Sequence, residues 1–429
     1  MVKLLFIATY AIIFFILTWR RFEWGLFLLF LLLPTYLIRF YIGSLPLTIL
    51  EVMLLIIVGA WFCQNKNYSS FIKYIKNFYA RNKLIGLGIL LFLAAATVSI
   101  FTSINFRNAA GEWKTFYVEP ILLFFILIFY IKNLDGTKQK NFIEQYILFP
   151  LILSGLATSI LAIYQHFTGF FVPEAFWANQ NTYRVTAWYG FPNAVGLFLA
   201  PLIPLALYLT KEKCDEIKTG NFRRLITNLQ FLISILFLIS APLALFFAKG
   251  SGPIIGTLAG IGVLFLYYKP TRWWTIAFSA ASVVILLLFL PPTNSLRQEL
   301  LFQDRSGQIR LSMWKETVEF LKDSPLFGAG LASYSNRIIP YHKTVNKEGI
   351  EIFHHPHNIF LTMWVNTGLI GLIGFIFIII SCFFLARKNK TPETKYFLGS
   401  LVVILVMGLV DSPYIKNDLS ILFWLLPAL

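Results

Sequence analysis

The stretch FHHPHNIFL, residues 353–361, holds three of the five histidines of a 429-residue chain. His354, His355 and His357 stand where a polar segment gives way to a long apolar run. Imidazole is the side chain whose ordinary titration falls near neutral pH, so it suits proton transfer, metal binding or a pH-sensitive cap. A metal site would call for more ligands, yet no HExxH pattern and no carboxylate at helical spacing follows. A polar cap of the next helix would need no chemistry. A histidine held at the mouth of a cavity would act as a general base. In that reading His357 is the reacting group, Asn358 orients the chain beside it, and His355 is a neighbour on the substrate side.

Isolated cations stand in other segments that adjoin apolar runs. Arg184 lies in NQNTYRVTAWYGFPN, Lys249 in FFAKGSGP, Arg107 and Lys114 flank NAAGEW, and Arg310 follows SGQI. Arginine grips phosphate with two parallel donors, and lysine does so as a point charge. Taken singly, each would be an ordinary solvated loop charge. Taken together, beside apolar helices, they point to an anionic, membrane-borne ligand such as a lipid-linked pyrophosphate. Carboxylates near the apolar runs are few. Glu51 and Glu119 read as partners of a structural ion pair with a cation on the same side. Asp411 ends an apolar run, where it would either orient His357, as a carboxylate does in other histidine-base sites, or hydrate the helix end.

The elements that carry these residues are transmembrane helices. The chain is 58% hydrophobic and 13% charged, with mean hydropathy +0.71; soluble chains carry about 25% charge. Runs of the roughly 20 apolar residues a span needs recur throughout. Candidates lie near 4–18, 24–41, 46–63, 84–103, 116–132, 143–165, 187–209, 227–247, 253–268, 272–291, 358–386 and 396–410, with a terminal half-helix at 419–429. The expectation is an all-α polytopic membrane protein of about twelve transmembrane helices, forming one integral membrane domain over residues 1–429. The first run ends in WRRFEW without a small-residue cleavage site, so it reads as a retained helix. The three cysteines form no CxxC, which argues against a disulfide framework or a zinc ribbon.

The net charge of +16 has a simple source. Segments 64–83 and 211–224 carry five Lys/Arg each, and 132–140 and 387–395 are basic too, whereas 292–356 has eight basic and seven acidic residues. A surplus confined to alternate short loops is the positive-inside pattern, and it makes nucleic acid an unnecessary partner. It places 104–115, 166–186, 292–356 and 411–418 on the extracytoplasmic face, with the N-terminus also outside. The large extracytoplasmic loop, 292–357, contains Leu311, Trp314, Val318 and Leu321 at a spacing of three to four. That spacing predicts an amphipathic helix, ended by Pro325, which would roof a cavity between the spans. Trp113, Trp177, Trp188 and Trp314 would be interfacial anchors or would stack on sugars.

An ordered set of motifs resembles a known family. YQHFTG (164–169), YRVTAWYGFPNAVGLFLAP (183–201), SGQIRLSMWKETVEFLKDSPLFGAGLASY (306–334) and HPHNIFLTMWVNTGLIGLIGF (355–375) are similar, in that order, to segments of the O-antigen ligase and polymerase superfamily. That superfamily also includes bacterial O-linked oligosaccharyltransferases. The resemblance covers roughly residues 100–429. It implies a multi-pass protein of the bacterial cytoplasmic (inner) membrane. Such a protein moves a glycan from an undecaprenyl-pyrophosphate carrier to an acceptor hydroxyl on the outer face, with inversion and without metal or other cofactor. The acceptor would be a glycan, a lipid-linked sugar or a protein side chain. The resemblance makes His357 the general base and gives Arg184 and Arg310 the pyrophosphate. Asp411 matches a family carboxylate near the last helices. Where many members carry Ser-Arg-Gly, this chain reads AKGSGP, so Lys249 would replace the cation. The rival from another class is a transporter or flippase for lipid-linked glycans. It would favour internal repeats and broken helices; neither is seen in the sequence, although Pro201 and Pro204 could break one span.

Overall fold

The computed structural model describes residues 2–429 other than 44, 65–67, 181, 218–227, 345–348, 350, 389–390 and 392. Parts of the basic segments 64–83, 211–224 and 387–395, and of the 292–356 loop, therefore lie outside the described residues.

Helices α1 (Val2–Arg20) and α2 (Phe22–Leu31) open the chain, followed by a hairpin of β1 (Arg39–Ile42) and β2 (Leu45–Thr48). Arg39 pairs with Thr48 in its antiparallel register. Next come α3 (Ile49–Gln64), α4 (Tyr68–Arg81) and α5 (Lys83–Phe101). Two long helices follow, α6 (Phe106–Lys132) and α7 (Gly136–Thr168). After an irregular segment, α8 (Pro192–Leu199) and α9 (Leu202–Ile217) form one span. The remainder comprises α10 (Leu229–Phe247), α11 (Ser251–Tyr267), α12 (Lys269–Val284), α13 (Arg305–Asp323), α14 (Ile359–Lys388), α15 (Thr394–Met407) and α16 (Asn417–Leu425).

Among the described residues, six helices are long and apolar enough to cross a bilayer, or seven if α3 and α4 form one bent span. The expected twelve are thus not all found among the described residues. The run 24–41 is not one continuous helix, because α2 ends at Leu31. Pro34 falls in a short 3₁₀ turn, Leu33–Leu37, and the chain then reverses through the hairpin. Hydropathy counts apolar residues and does not register a turn made of them. α2, α11 and α15 are apolar but short. The basic segment 64–83, read as a loop, contains α4. Its Phe71 is buried while Lys73, Lys76 and Arg81 are exposed, the pattern of an amphipathic surface helix.

Helix direction sorts the two ends of the bundle. α14 runs from Ile359 to a basic finish at Arg387 and Lys388, and α15 returns from there to Met407. α5 starts at the basic end, and just past its finish Ser103 Oγ donates to the Leu331 carbonyl at 2.8 Å. The histidines, Asp411 and the 292–356 loop thus gather at the end opposite α4 and the basic helix termini.

Small residues draw the helices that carry this end together. α11 and α15 approach so closely that a Cβ on Gly260 would lie 2.6 Å from the Gly399 carbonyl oxygen. α5 and α14 meet likewise through Gly88 and Gly374. In a bilayer, where apolar burial gives helices little reason to associate, this close approach supplies much of the attraction.

α14 is broken inside the span. Gly368 has φ 69° and ψ −179°, a conformation open only to glycine. The turn after α13 fills the gap. Leu369 N donates to the Pro325 carbonyl (3.2 Å), Trp364 Nε1 donates to the same oxygen (2.8 Å), and Ala329 N donates to the Val365 carbonyl (2.7 Å). The DSPLFGAG stretch thereby satisfies backbone groups that the break releases, as apolar surroundings require. Nothing in the residue pattern marks this break, because Gly368 lies in a run whose other glycines are helical.

Candidate active site

The site is assembled from five chain segments, 184–193, 248–249, 310–314, 355–358 and 410–412. Pro356 biases His355 towards extended backbone, and His357 then takes φ +47°. A left-handed histidine costs of the order of 1–3 kcal/mol, so neighbours must hold it. The His357 amide donates to His355 Nδ1 at 3.4 Å, and Trp314 Nε1 of α13 donates to the Pro356 carbonyl at 2.9 Å. Asn358 caps α14: its Oδ1 accepts from the amides of Phe360 and Leu361, and its Nδ2 donates to the Leu409 carbonyl. Asn358, read from the sequence as orienting the chain beside His357, thus engages protein through both its oxygen and its nitrogen. Trp314, expected at the interface or on a sugar, instead pins the histidine turn.

His357 Nδ1 lies 3.2 Å from Asp411 Oδ1. With the proton on Nδ1 donated to the carboxylate, Nε2 is left to accept another. Asp411 is buried, 6% exposed, and also accepts from the Ser412 amide (2.8 Å) and from Asn193 Nδ2 (3.1 Å). Burial by itself would raise its pKa. The His357 hydrogen bond and charge, with His355 and the Ser412 amide, outweigh that and hold the carboxyl well below the usual range. His355 is pushed the other way, to about 3, chiefly by burial and then by the charge of His357. It is a neutral imidazole whose Nδ1 accepts, which makes it a support for His357.

Asn193 continues the chain of contacts. Its Oδ1 accepts from Arg184 Nη2 at 3.2 Å. Arg184 also donates through Nε and Nη2 to the Ala248 carbonyl (2.9 and 2.6 Å) and through Nη2 to the Lys249 carbonyl (3.0 Å), and it stacks on Trp177. It therefore ties the α10–α11 turn to α8. Lys249 contributes its carbonyl at φ +51°, and its side chain is exposed. The loop that bears Arg184 is shaped by buried Gln165, whose Oε1 accepts from the amides of Thr186 and Ala187 and whose Nε2 donates to the carbonyls of Phe171 and Ala187. Arg310 reaches the same neighbourhood from α13. Its Nε donates to the Val410 carbonyl (3.0 Å), next to Asp411, and Nη1 donates to Ser306 Oγ (2.8 Å).

Away from this cluster, Glu51 pairs with Lys114 at 2.8 Å, and Glu119 lies 3.9 Å from the same ammonium. Trp113 and Trp188 donate to Thr97 and Thr158. The residues that sequence reasoning missed are Asn193, Gln165 and Ser412. All three act through the fold on the histidine or the arginine; Asn193 stood within the quoted FPN and Gln165 within the quoted YQHFTG.

Donor atoms of His355, His357 and Asp411 fall within 4.8 Å of one another, so the trio could also hold a divalent ion. Two nitrogens and a carboxylate oxygen suit zinc chemically. The Nδ1 of His355 is taken by the His357 amide, however, and the Nδ1 of His357 by Asp411. Only the Nε2 atoms and the carboxylate are left for an ion.

Comparison with known proteins bears on this arrangement. Residues 235–376, which include Lys249, Arg310, His355, His357 and Asn358, match the family model described as O-Antigen ligase. A 117-residue stretch is 29% identical to the Exopolysaccharide production protein ExoQ of Rhizobium meliloti, covering 24% of this chain and 27% of the relative. Another, of 93 residues, is 33% identical to an uncharacterized protein of Haemophilus influenzae, covering 20% and 23%. The matches span about a quarter of the length of these curated relatives. Motif order, helical membrane architecture and the match over residues 235–376 agree in supporting a likeness to the O-antigen ligase and polymerase superfamily.

Proposed function

We propose that the protein is a metal-independent inverting glycosyltransferase of the bacterial inner membrane. It moves a glycan from undecaprenyl pyrophosphate to an acceptor hydroxyl on the extracytoplasmic face. The observation that carries this reading is the His357–Asp411 pair, 3.2 Å apart, with Arg184 and Arg310 anchored beside it. The acceptor oxygen attacks the anomeric carbon from the side opposite the pyrophosphate. As the new C–O bond forms, the acceptor proton passes to His357 Nε2. The old C–O bond breaks and its electron pair leaves with the pyrophosphate. Asp411 holds the tautomer and stabilises the imidazolium. The nearby cations meet the charge that develops on the leaving group. The basic helix ends at the opposite side of the bundle support an extracytoplasmic site.

The test uses purified protein in nanodiscs, a host-made undecaprenyl-pyrophosphate glycan and candidate acceptors. Wild type should release undecaprenyl pyrophosphate and form a new glycoside. His357→Ala should lower turnover by about 10²- to 10⁴-fold, the range expected for a lost general base, with unchanged thermal unfolding. Retained activity in the variant would remove the base.

One observation favours the alternative, a transporter or flippase for lipid-linked glycans: the break in α14 at Gly368. Transporters use such breaks to line a substrate path. Here the break is filled by the Pro325–Gly328 turn, which weakens that reading. Translocation of the lipid without turnover, in proteoliposomes, would establish it instead.

A further inference from the structure

The cations around the histidine pair are not equally free. The Arg184 fork is held by the Ala248 and Lys249 carbonyls and by Asn193, and the Arg310 fork by the Val410 carbonyl and Ser306. Lys416 is different. It ends the segment that runs from Asp411 to α16, and it is half-buried. Its ammonium stands 4.4 Å from the ring centre of Phe191 and 6.0 Å from that of Tyr36, and among the described residues it makes no ion pair. Phe191 belongs to the same turn as Asn193, so the ammonium and the Asp411 contact share one wall. Burial draws its pKa below the usual lysine range. Arg39 of the hairpin adds to this, while Asp418 and Asp411 oppose it. His355 in turn feels the Lys416 charge.

A half-buried ammonium resting on aromatic faces has lost water without gaining an anion, which is costly unless a partner arrives.

We propose that Lys416 is a further anion-binding point of the active site, contacting a phosphate oxygen of the lipid-linked pyrophosphate. This rests on the donor class proposed above. A lysine suits the task, because its three donors can rotate onto whichever oxygen carries the charge as the sugar leaves. The Phe191 and Tyr36 rings face the ammonium itself, and His355 feels its charge.

The test measures binding of undecaprenyl pyrophosphate, with neutral undecaprenol as control, to wild type, Lys416→Met and Lys416→Arg in nanodiscs. Thermal unfolding is followed in parallel. Lys416→Met should weaken the pyrophosphate lipid by about tenfold or more, as expected for loss of a charge-assisted contact. It should leave undecaprenol binding and unfolding unchanged, and Lys416→Arg should restore most of the affinity. Equal affinity in wild type and Lys416→Met would overturn the assignment. So would a loss shared by both variants and by undecaprenol, since that marks a structural role. If wild type itself does not distinguish the pyrophosphate lipid from undecaprenol, the donor reading fails and takes this assignment with it. That result is separate from a failure confined to Lys416.

Discussion

Asn193 Nδ2 donates to Asp411 Oδ2 across 3.1 Å, although 218 residues separate them in the chain. The contact divides the carboxylate into two halves. Oδ1 serves His357 and the Ser412 amide, and Oδ2 is held by the asparagine that Arg184 also grips. The orientation of the proposed base is thus set by α8 and the α10–α11 turn as well as by its own loop.

Asn193→Asp tests this coupling. It replaces a donor by a carboxylate beside Asp411, and two such groups cannot both stay ionised in a buried site. Turnover should fall by about 10²-fold or more, and Asn193→Ala should fall less, since it removes the bond without adding charge. Turnover of both variants, set against their thermal unfolding, checks the order. A fully active Asn193→Asp would mean that Asp411 does not depend on this neighbour.

The cluster of His355, His357 and Asp411 invites a second test. If the histidine acts as a proton acceptor, EDTA should leave turnover unchanged, and added zinc should inhibit by taking Nε2 of His357. Loss of activity under EDTA, restored by zinc, would make the same three residues a metal site.

Much of this site was legible in the sequence, for identifiable reasons. Histidines and arginines are scarce in an apolar chain, so His357, Arg184 and Arg310 stood out, and the 3–4 spacing of Leu311, Trp314 and Val318 marked α13. Roles carried by backbone geometry were hidden. Nothing in the residue types distinguishes Arg184 as a staple of two carbonyls from Arg184 as a free phosphate clamp. Asn358 drew notice because it follows His357, and that it caps α14 shows only in its backbone contacts. The hairpin at 39–48 was invisible for another reason. Its residues are as apolar as a span, and only the turns around Pro34 and Gly43 betray it.

Acidification should destabilise the fold through His355. Its folded value of about 3 lies below the ordinary value of about 6.5. The folded state therefore resists the proton that the unfolded chain accepts. This contribution to stability is complete above about pH 6.5 and is lost as pH falls towards 3. Asp411, held below its ordinary value near 4, adds a similar loss only below that pH. Thermal unfolding followed from pH 7 to pH 4 should thus show a steady decline in wild type and a flatter profile in His355→Gln. Parallel profiles would show that His355 does not titrate with folding.

Gly368→Ala tests the union of the broken helix with the turn that follows α13. A Cβ at this position would lie 1.9 Å from the Leu326 carbonyl oxygen, and φ is +69°. The clash is with backbone, so no side-chain rotation relieves it. Either the Ser324–Gly330 turn leaves the break, or α14 straightens. Both outcomes expose the amide of Leu369 and the carbonyl of Val365, now paired with Pro325 and Ala329, where few alternative partners exist. The cost should be about 3 kcal/mol or more, combining the backbone strain with a lost hydrogen bond. Because α13 carries Arg310 and, through Trp314, holds the Pro356 carbonyl, turnover should fall together with the unfolding temperature. Gly371→Ala, whose Cβ would press mainly on the Thr367 side chain, is the matched control in the same helix and should be milder on both measures. If Gly368→Ala unfolds and turns over like wild type, the loop is not seated in the break, and the position of α13 over the histidine must depend on the Trp314 and Arg310 contacts.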